Sequence, residues 1–113
     1  TPEAIAFVAE RFKPEAGLVM FSLEYCEFCW TAKKLLNAMR ADYEVVEVDA
    51  LKHAKGGFGG ALRTALTAKT GGKTFPQIII KGEFVGGATD ALDLFKSGEL
   101  HRKLTAAGVA FDQ

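Results

Sequence analysis

Apolar residues in the first dozen positions recur at helical spacing, as Ile5, Val8, Ala9 and Phe12. The start Thr1-Pro2-Glu3 supplies an N-cap, a first-turn proline and an early acid. Lys13-Pro14 ends that helix, and Gly17 opens a different pattern. Leu18 to Phe21 is continuously apolar, which suits a strand buried on both faces. Cys29, Ala32, Leu36 and Met39 then form one helical stripe, with Lys33, Lys34, Asn37 and Arg40 off it. Tyr43, Val45 and, less strictly, Val46 and Val48 alternate through Asp49 as a second strand. A strand, a helix and a strand of this length make a βαβ unit with parallel strands.

The region from Leu51 to Gly60 carries no periodicity. Gly56-Gly57-Phe58-Gly59-Gly60 predicts a flexible loop, with His53 solvated within it. A phosphate-cradling loop is the functional alternative there, and it is argued against because no G-K-[ST] follows and no strand directly precedes it. Ala61 to Thr70 reads as a helix stopped by Gly71-Gly72. Gln77 to Ile80 is a strong strand, and Lys81-Gly82-Glu83 turns it into Phe84-Val85 as a hairpin. Asp90 is placed as the cap of a final helix, Ala91 to Lys96. Ser97-Gly98-Glu99 interrupts it, and Leu100 to Ala107 continues as a second segment. Val109-Ala110-Phe111 has no assignment. The order α-β-α-β-α-β-β-α describes an α/β sandwich: one four-stranded mixed sheet, with a parallel pair and an antiparallel hairpin, flanked by helices.

The 113 residues suffice for one domain with one core, and 49% of them are apolar. Fourteen basic and 14 acidic residues cancel, which argues against a nucleic-acid partner. No apolar run approaches the ~20 residues of a membrane span, and no stretch reads as a signal peptide. The chain begins at Thr1 rather than Met, so a domain excised from a longer chain is one expectation.

The two cysteines stand as Cys26-Glu27-Phe28-Cys29, between a buried strand and a helix. The first turn of a helix presents unpaired N–H groups and a partial positive charge, which stabilise a thiolate. Cys29 lies one turn further on, placed to attack a mixed disulfide on Cys26. Two plain core cysteines would need no such spacing. A zinc site would need two more ligands, and His53 and His101 are not paired with other ligands at metal spacing. One C-x-x-C is no disulfide framework, so a reducing compartment is expected: the cytoplasm, or an organelle of a eukaryote.

With a Pro opening the third strand, this order resembles a dithiol glutaredoxin of the thioredoxin fold. The resemblance covers nearly the whole chain. Cys26-Glu27-Phe28-Cys29 resembles the dithiol motif, Thr70-Gly71-Gly72-Lys73-Thr74-Phe75-Pro76 the family's T-G-x-x-T-V-P, and Gly82 with Gly86-Gly87-Ala88-Thr89-Asp90 its N-G-x-x-x-G-G-x-x-D. It implies Cys26 as nucleophile and Cys29 as resolving thiol. It implies glutathione as co-substrate, held by Phe28, Arg63, Thr74, Phe75, Pro76, Gly87, Thr89 and Asp90. Pro76 is expected cis and facing Cys26, with the Phe75 backbone turned outward to pair with the bound peptide. Asp90 would pair the α-ammonium, Gly87 and Thr89 at the helix N-terminus would hold the γ-glutamyl carboxylate, Arg63 would reach the glycine carboxylate, and Phe28 would be an aromatic wall beside the bound sulfur. The implied partners are glutathionylated or disulfide-bonded proteins, met by a monomer.

Three departures from the family pattern matter. Glu27 replaces the usual Pro, Leu23 stands where a Lys is common, and Trp30 follows the second Cys. Glu24 and Glu27 oppose a thiolate, and Lys33 and Lys34 offset them only by folding back. Trp30 is placed against the N-terminal helix or in the substrate groove. Without the Pro, a second activity is a [2Fe-2S] cluster shared by a dimer, with Cys26 as the chain's only metal ligand beside bound glutathione. A third reading is a non-catalytic recognition domain of a larger redox enzyme.

Overall fold

Strand β1 (Leu18–Ser22) is buried along its whole length, as its unbroken apolar run predicts. The computed structural model describes residues 1–112. Around β1 the chain runs α1 (Pro2–Arg11), α2 (Glu27–Ala38), β2 (Glu44–Glu47), α3 (Leu51–Ala54), α4 (Phe58–Thr70), β3 (Gln77–Ile80), β4 (Glu83–Gly86), α5 (Ala88–Ser97) and α6 (Glu99–Ala106). The sheet order is β2-β1-β3-β4. β1 pairs parallel with β2 (Met20 beside Val45) and antiparallel with β3 (Met20 beside Ile78). β4 closes the sheet as the antiparallel hairpin partner of β3. The expected mixed sheet and its flanking helices are therefore present.

Strand alternation divides the core in two. Leu18, Met20, Ile78 and Ile80 face α2, α5 and α6, where they meet Leu36, Ala91, Leu100 and Leu104. Val19, Phe21, Val46 and Ile79 face α1 and α4, where they meet Val8, Leu62 and Leu66. Burying one such aliphatic side chain contributes about 1.5–3 kcal/mol. Thr1 caps α1 as expected, accepting the Ala4 N–H at 3.2 Å.

The glycine-rich region is not a loop. α3 and α4 are joined by a short 3-10 turn, Lys55–Gly57, where Gly56 and Gly57 take φ of 68° and 72°. α4 begins at Phe58, three residues before the expected helix. His53 is buried rather than solvated, 5.9 Å from the Phe7 ring and 5.6 Å from the Phe58 ring between centroids. The reason is tertiary: Phe7 on α1 supplies a partner that no local pattern displays. Burial pushes the His53 imidazole below its ordinary value, and Lys52 and Arg11 push the same way. The unfolded chain therefore takes up this proton first, and stability falls as pH drops through about 6.5. Urea titrations at pH 7.5 and 5.5 are expected to show a smaller loss in His53→Phe than in wild type.

The C-terminal tail also packs. Ala110 O accepts the Asp42 N–H at 2.8 Å, the Asp112 N–H donates to Met39 O at 2.7 Å, and Phe111 joins the cluster beneath α2 and α6.

Candidate active site

Helix α2 starts at a sulfur. Cys26 is its N-cap, in extended conformation (φ −151°, ψ 112°), and Cys26 Sγ accepts the Cys29 N–H at 3.2 Å. The strand end thus delivers the thiol to the helix N-terminus, where the orphan donors need an acceptor. Cys26 is half-buried and Cys29 fully buried, and both are free thiols. Burial pushes the Cys29 thiol up, and the adjacent Cys26 sulfur adds to it; hydrogen bonds with the Leu23 backbone and Ser22 pull weakly the other way. Cys29 is consequently held protonated while Cys26 faces outward.

The Phe75–Pro76 peptide bond is cis. The Phe75 carbonyl lies 3.8 Å from Cys26 Sγ, within reach of its S–H. The loop before it is anchored by Gln77, buried at the start of β3. Gln77 Nε2 donates to Gly72 O at 3.0 Å and to Thr74 O at 3.1 Å, and Gln77 Oε1 accepts the Thr70 hydroxyl at 2.8 Å.

A cleft of about 540 Å³ opens beside this sulfur and gathers Phe28, Arg63, Thr74, Phe75, Pro76, Gly87, Thr89 and Asp90. All eight residues singled out from the sequence line it. Leu23, Ala88 and Lys73 complete it. A second hollow, of about 360 Å³, shares Arg63, Lys73 and Phe75 and adds Thr64 and Thr67. Lys73 is the lining residue the sequence reading missed; its only signal is a basic side chain inside the Thr70–Pro76 segment. The two ends of the cleft differ in charge. Arg63 and Lys73 stand at one end, neither in an ion pair among the described residues, and the Arg63 guanidinium lies 5.5 Å from the Phe75 ring centroid. Asp90 stands at the other.

Asp90 is not the cap of the last helices. Gly87 is the N-cap, and α5 begins at Ala88. Asp90 sits in the first turn, and its Oδ2 accepts the Gly87 N–H at 2.9 Å, reaching back because glycine has no side chain to cap with. Its other oxygen makes no hydrogen bond among the described residues. Lys33 does not offset the glutamates near Cys26; it pairs with Glu47 at 3.6 Å, since it leans toward β2. Trp30 is half-exposed and absent from the cleft lining; its indole N–H donates to Glu24 O at 3.3 Å.

The glutaredoxin family model matches residues 18–85, from β1 into β4 and across both cysteines and Thr74–Pro76. The chain belongs to the glutaredoxin family. It is similar to the mitochondrial glutaredoxin-2 of Pongo abelii, 43% identical over 83 residues, covering 74% of this chain and 48% of that protein. It is also similar to glutaredoxin-C1 of Arabidopsis thaliana, 36% identical over 110 residues, covering 97% of this chain and 84% of that one. The chain spans about half the length of the mitochondrial relatives it matches. Among solved structures it is similar to wheat glutaredoxin (TM-score 0.79, 35% identical, 94% and 93% of the two chains). It is likewise similar to a buckwheat glutaredoxin–glutathione complex (TM-score 0.77, 30% identical, 96% of each). These glutaredoxins share the thioredoxin-like arrangement of sheet and helices. Glutaredoxins named for mitochondria and for chloroplasts are both among the relatives. Among the described residues no helix is long and apolar enough to cross a membrane.

Proposed function

We propose that this glutaredoxin is a glutathione-dependent thiol–disulfide oxidoreductase, acting on protein–glutathione mixed disulfides and on protein disulfides. The observation that carries the reading is the helix-capping sulfur of Cys26 beside a cleft that is cationic at one end and anionic at the other. Glutathione has the matching charge order, with a glycyl carboxylate at one end and an α-ammonium with its carboxylate at the other. A relative solved as a glutathione complex supports the same ligand.

In this mechanism the Cys26 thiolate attacks the glutathionyl sulfur of the substrate. The S–S bond to the protein breaks, and the protein thiolate leaves and takes up a proton. Glutathione remains disulfide-bonded to Cys26. A second glutathione thiolate attacks the glutathionyl sulfur, releasing glutathione disulfide and the Cys26 thiolate. Alternatively Cys29 gives up its proton and attacks Cys26 Sγ, leaving a Cys26–Cys29 disulfide and free glutathione. The donors of the first α2 turn stabilise the Cys26 thiolate in each round.

Asp90 takes the α-ammonium, and the N-terminus of α5 at Gly87 and Thr89 takes the adjacent carboxylate. Thr74, Phe75 and Pro76 form the wall that pairs with the peptide, and Phe28 covers the sulfur. Arg63 and Lys73 share the glycyl carboxylate, Lys73 standing in for the cation missing at Leu23. Cys26 is also the one thiol this chain could lend to a [2Fe-2S] cluster shared by two copies. Glu27 beside it adds negative charge to a site already made anionic by thiolates, which counts against the cluster.

The test is reduction of a glutathionylated peptide by glutathione. Arg63→Ala and Lys73→Ala are each expected to raise KM for glutathione about tenfold while kcat stays within about twofold. Glutathione methylated at the glycyl carboxylate should show no such difference between wild type and variants. Wild type that does not turn over while its thiols are free would overturn the reading.

A further inference from the structure

Two carboxylates flank the nucleophile and have no internal task. Glu24 and Glu27 are exposed, and neither forms an ion pair among the described residues. Lys33 is engaged with Glu47, and Lys34 lies two helical turns from Glu27, roughly 10 Å along the axis. The rim beside Cys26 thus carries two negative charges that no cation of this chain pairs among the described residues, and both stay open to a cation brought by the partner protein.

The rim they occupy is ordered. The Glu24 N–H donates to Asp49 Oδ1 at 2.8 Å, and the Glu24 carbonyl accepts the Trp30 indole N–H at 3.3 Å. The Glu24 peptide is thus held from both sides, next to Cys26. Around the same sulfur stand unusually exposed aromatic rings, Tyr25 at 85% and Trp30 at 46% of full exposure. A disulfide is attacked along its S–S axis, so the departing thiol lies in line beyond the glutathionyl sulfur, and the partner's surface around it comes against the exposed residues beside Cys26. The cleft's own cations, Arg63 and Lys73, lie away from it, at the end assigned to glutathione.

We propose that Glu24 and Glu27 are specificity-determining residues, selecting partner proteins whose reacting cysteine is flanked by lysine or arginine, with Tyr25 and Trp30 covering the stems of those side chains. The proposal rests on the thiol–disulfide reading given above. Cations docking here pair with the two glutamates and bring the partner's reacting disulfide to Cys26 in the same contact. Aromatic faces suit the same side chains, because lysine and arginine pack their alkyl stems and charged heads against rings.

Three glutathionylated peptides of one length test this, with the cysteine flanked by two lysines, two glutamines or two glutamates. Basic neighbours also improve the leaving thiol, so each rate is divided by that of uncatalysed exchange with free glutathione. Wild type is then expected to prefer the lysine peptide over the glutamate peptide about tenfold in kcat/KM at low salt. At 0.5 M salt the preference should fall below about threefold. Glu24→Gln with Glu27→Gln should abolish it, and Glu24→Lys with Glu27→Lys should invert it; both side chains are exposed, and circular dichroism checks that the fold is kept. A corrected wild-type preference near one, or one unchanged in the double glutamine variant, overturns the proposal and leaves the oxidoreductase reading standing. Failure of wild type on all three peptides sinks both.

Discussion

Cys26→Ser is expected to lower the glutathione-coupled reduction of a glutathionylated peptide by at least about a thousandfold, whereas Cys29→Ser should stay within about fivefold of wild type. The asymmetry follows from position. Cys26 is the outward-facing thiol, and no other side chain of the cleft can form the covalent intermediate. Cys29 is buried, and its contribution to holding Cys26 Sγ is a backbone N–H that serine retains. A second glutathione can then complete the cycle without it. Reduction of protein disulfides should behave differently, because Cys29 must resolve the protein–Cys26 bond there; Cys29→Ser should lose that activity. Alkylation provides a check that needs no substrate. Because burial raises the Cys29 thiol, it stays neutral at pH 7. Iodoacetamide at pH 7 should label Cys26 alone, with Cys29 reacting only in alkali or after unfolding. Peptide mapping that finds both labelled equally at pH 7 would contradict this order of reactivity.

Gly59→Ala is expected to destabilise the protein by about 2–3 kcal/mol, and Gly60→Ala, one residue on, to stabilise it by about 0.5–1 kcal/mol. Both glycines lie in α4. A Cβ on Gly59 would come 2.5 Å from the Val48 backbone carbonyl oxygen, an atom that cannot swing aside as a side chain would. A Cβ on Gly60 would meet nothing within 4 Å and would gain the helix propensity of alanine. For a chain of this size, Gly59→Ala should lower the thermal midpoint by about 8–15 °C. The pair separates two readings of the glycine-rich stretch: a flexible loop would accept both substitutions alike, whereas a helix laid against the end of β2 rejects only the first.

What the sequence disclosed was local or carried by composition. Leu18 to Phe21 could only be a buried strand, Cys26 and Cys29 marked the helix start, and Thr70 to Pro76 marked the loop that faces them. Seven of the eight cleft residues fall in the three motifs; Arg63 lies outside them and is reached only through the family resemblance. What stayed hidden depends on partners distant in the chain. His53 is buried and Phe58 partly buried against Phe7, some fifty residues earlier, while the intervening glycines imitate a loop. The tail at Val109 and Phe111 gains its contacts from α6 and the cluster beneath α2, so three residues could show no period. The cap of α5 was misplaced because its carboxylate belongs to the third helical residue rather than the first flanking one. Gln77 shows as a strand start in sequence, and only the folded loop gives its amide three partners.

Because Cys26 Sγ is both the cap of α2 and the proposed nucleophile, folding stability and redox poise draw on one bond. A thiolate accepts the Cys29 N–H more strongly than a sulfur already committed to a disulfide, since the charged acceptor makes the stronger bond. The thermodynamic cycle then closes in one direction: what the helix end contributes to the reduced form is withdrawn on oxidation, so this bond, taken alone, favours the reduced protein. A cap contributes about 1 kcal/mol. For a two-electron couple that equals roughly 20 mV, displaced toward the oxidising side. The backbone of a single helical turn thereby tunes the electron affinity of the dithiol.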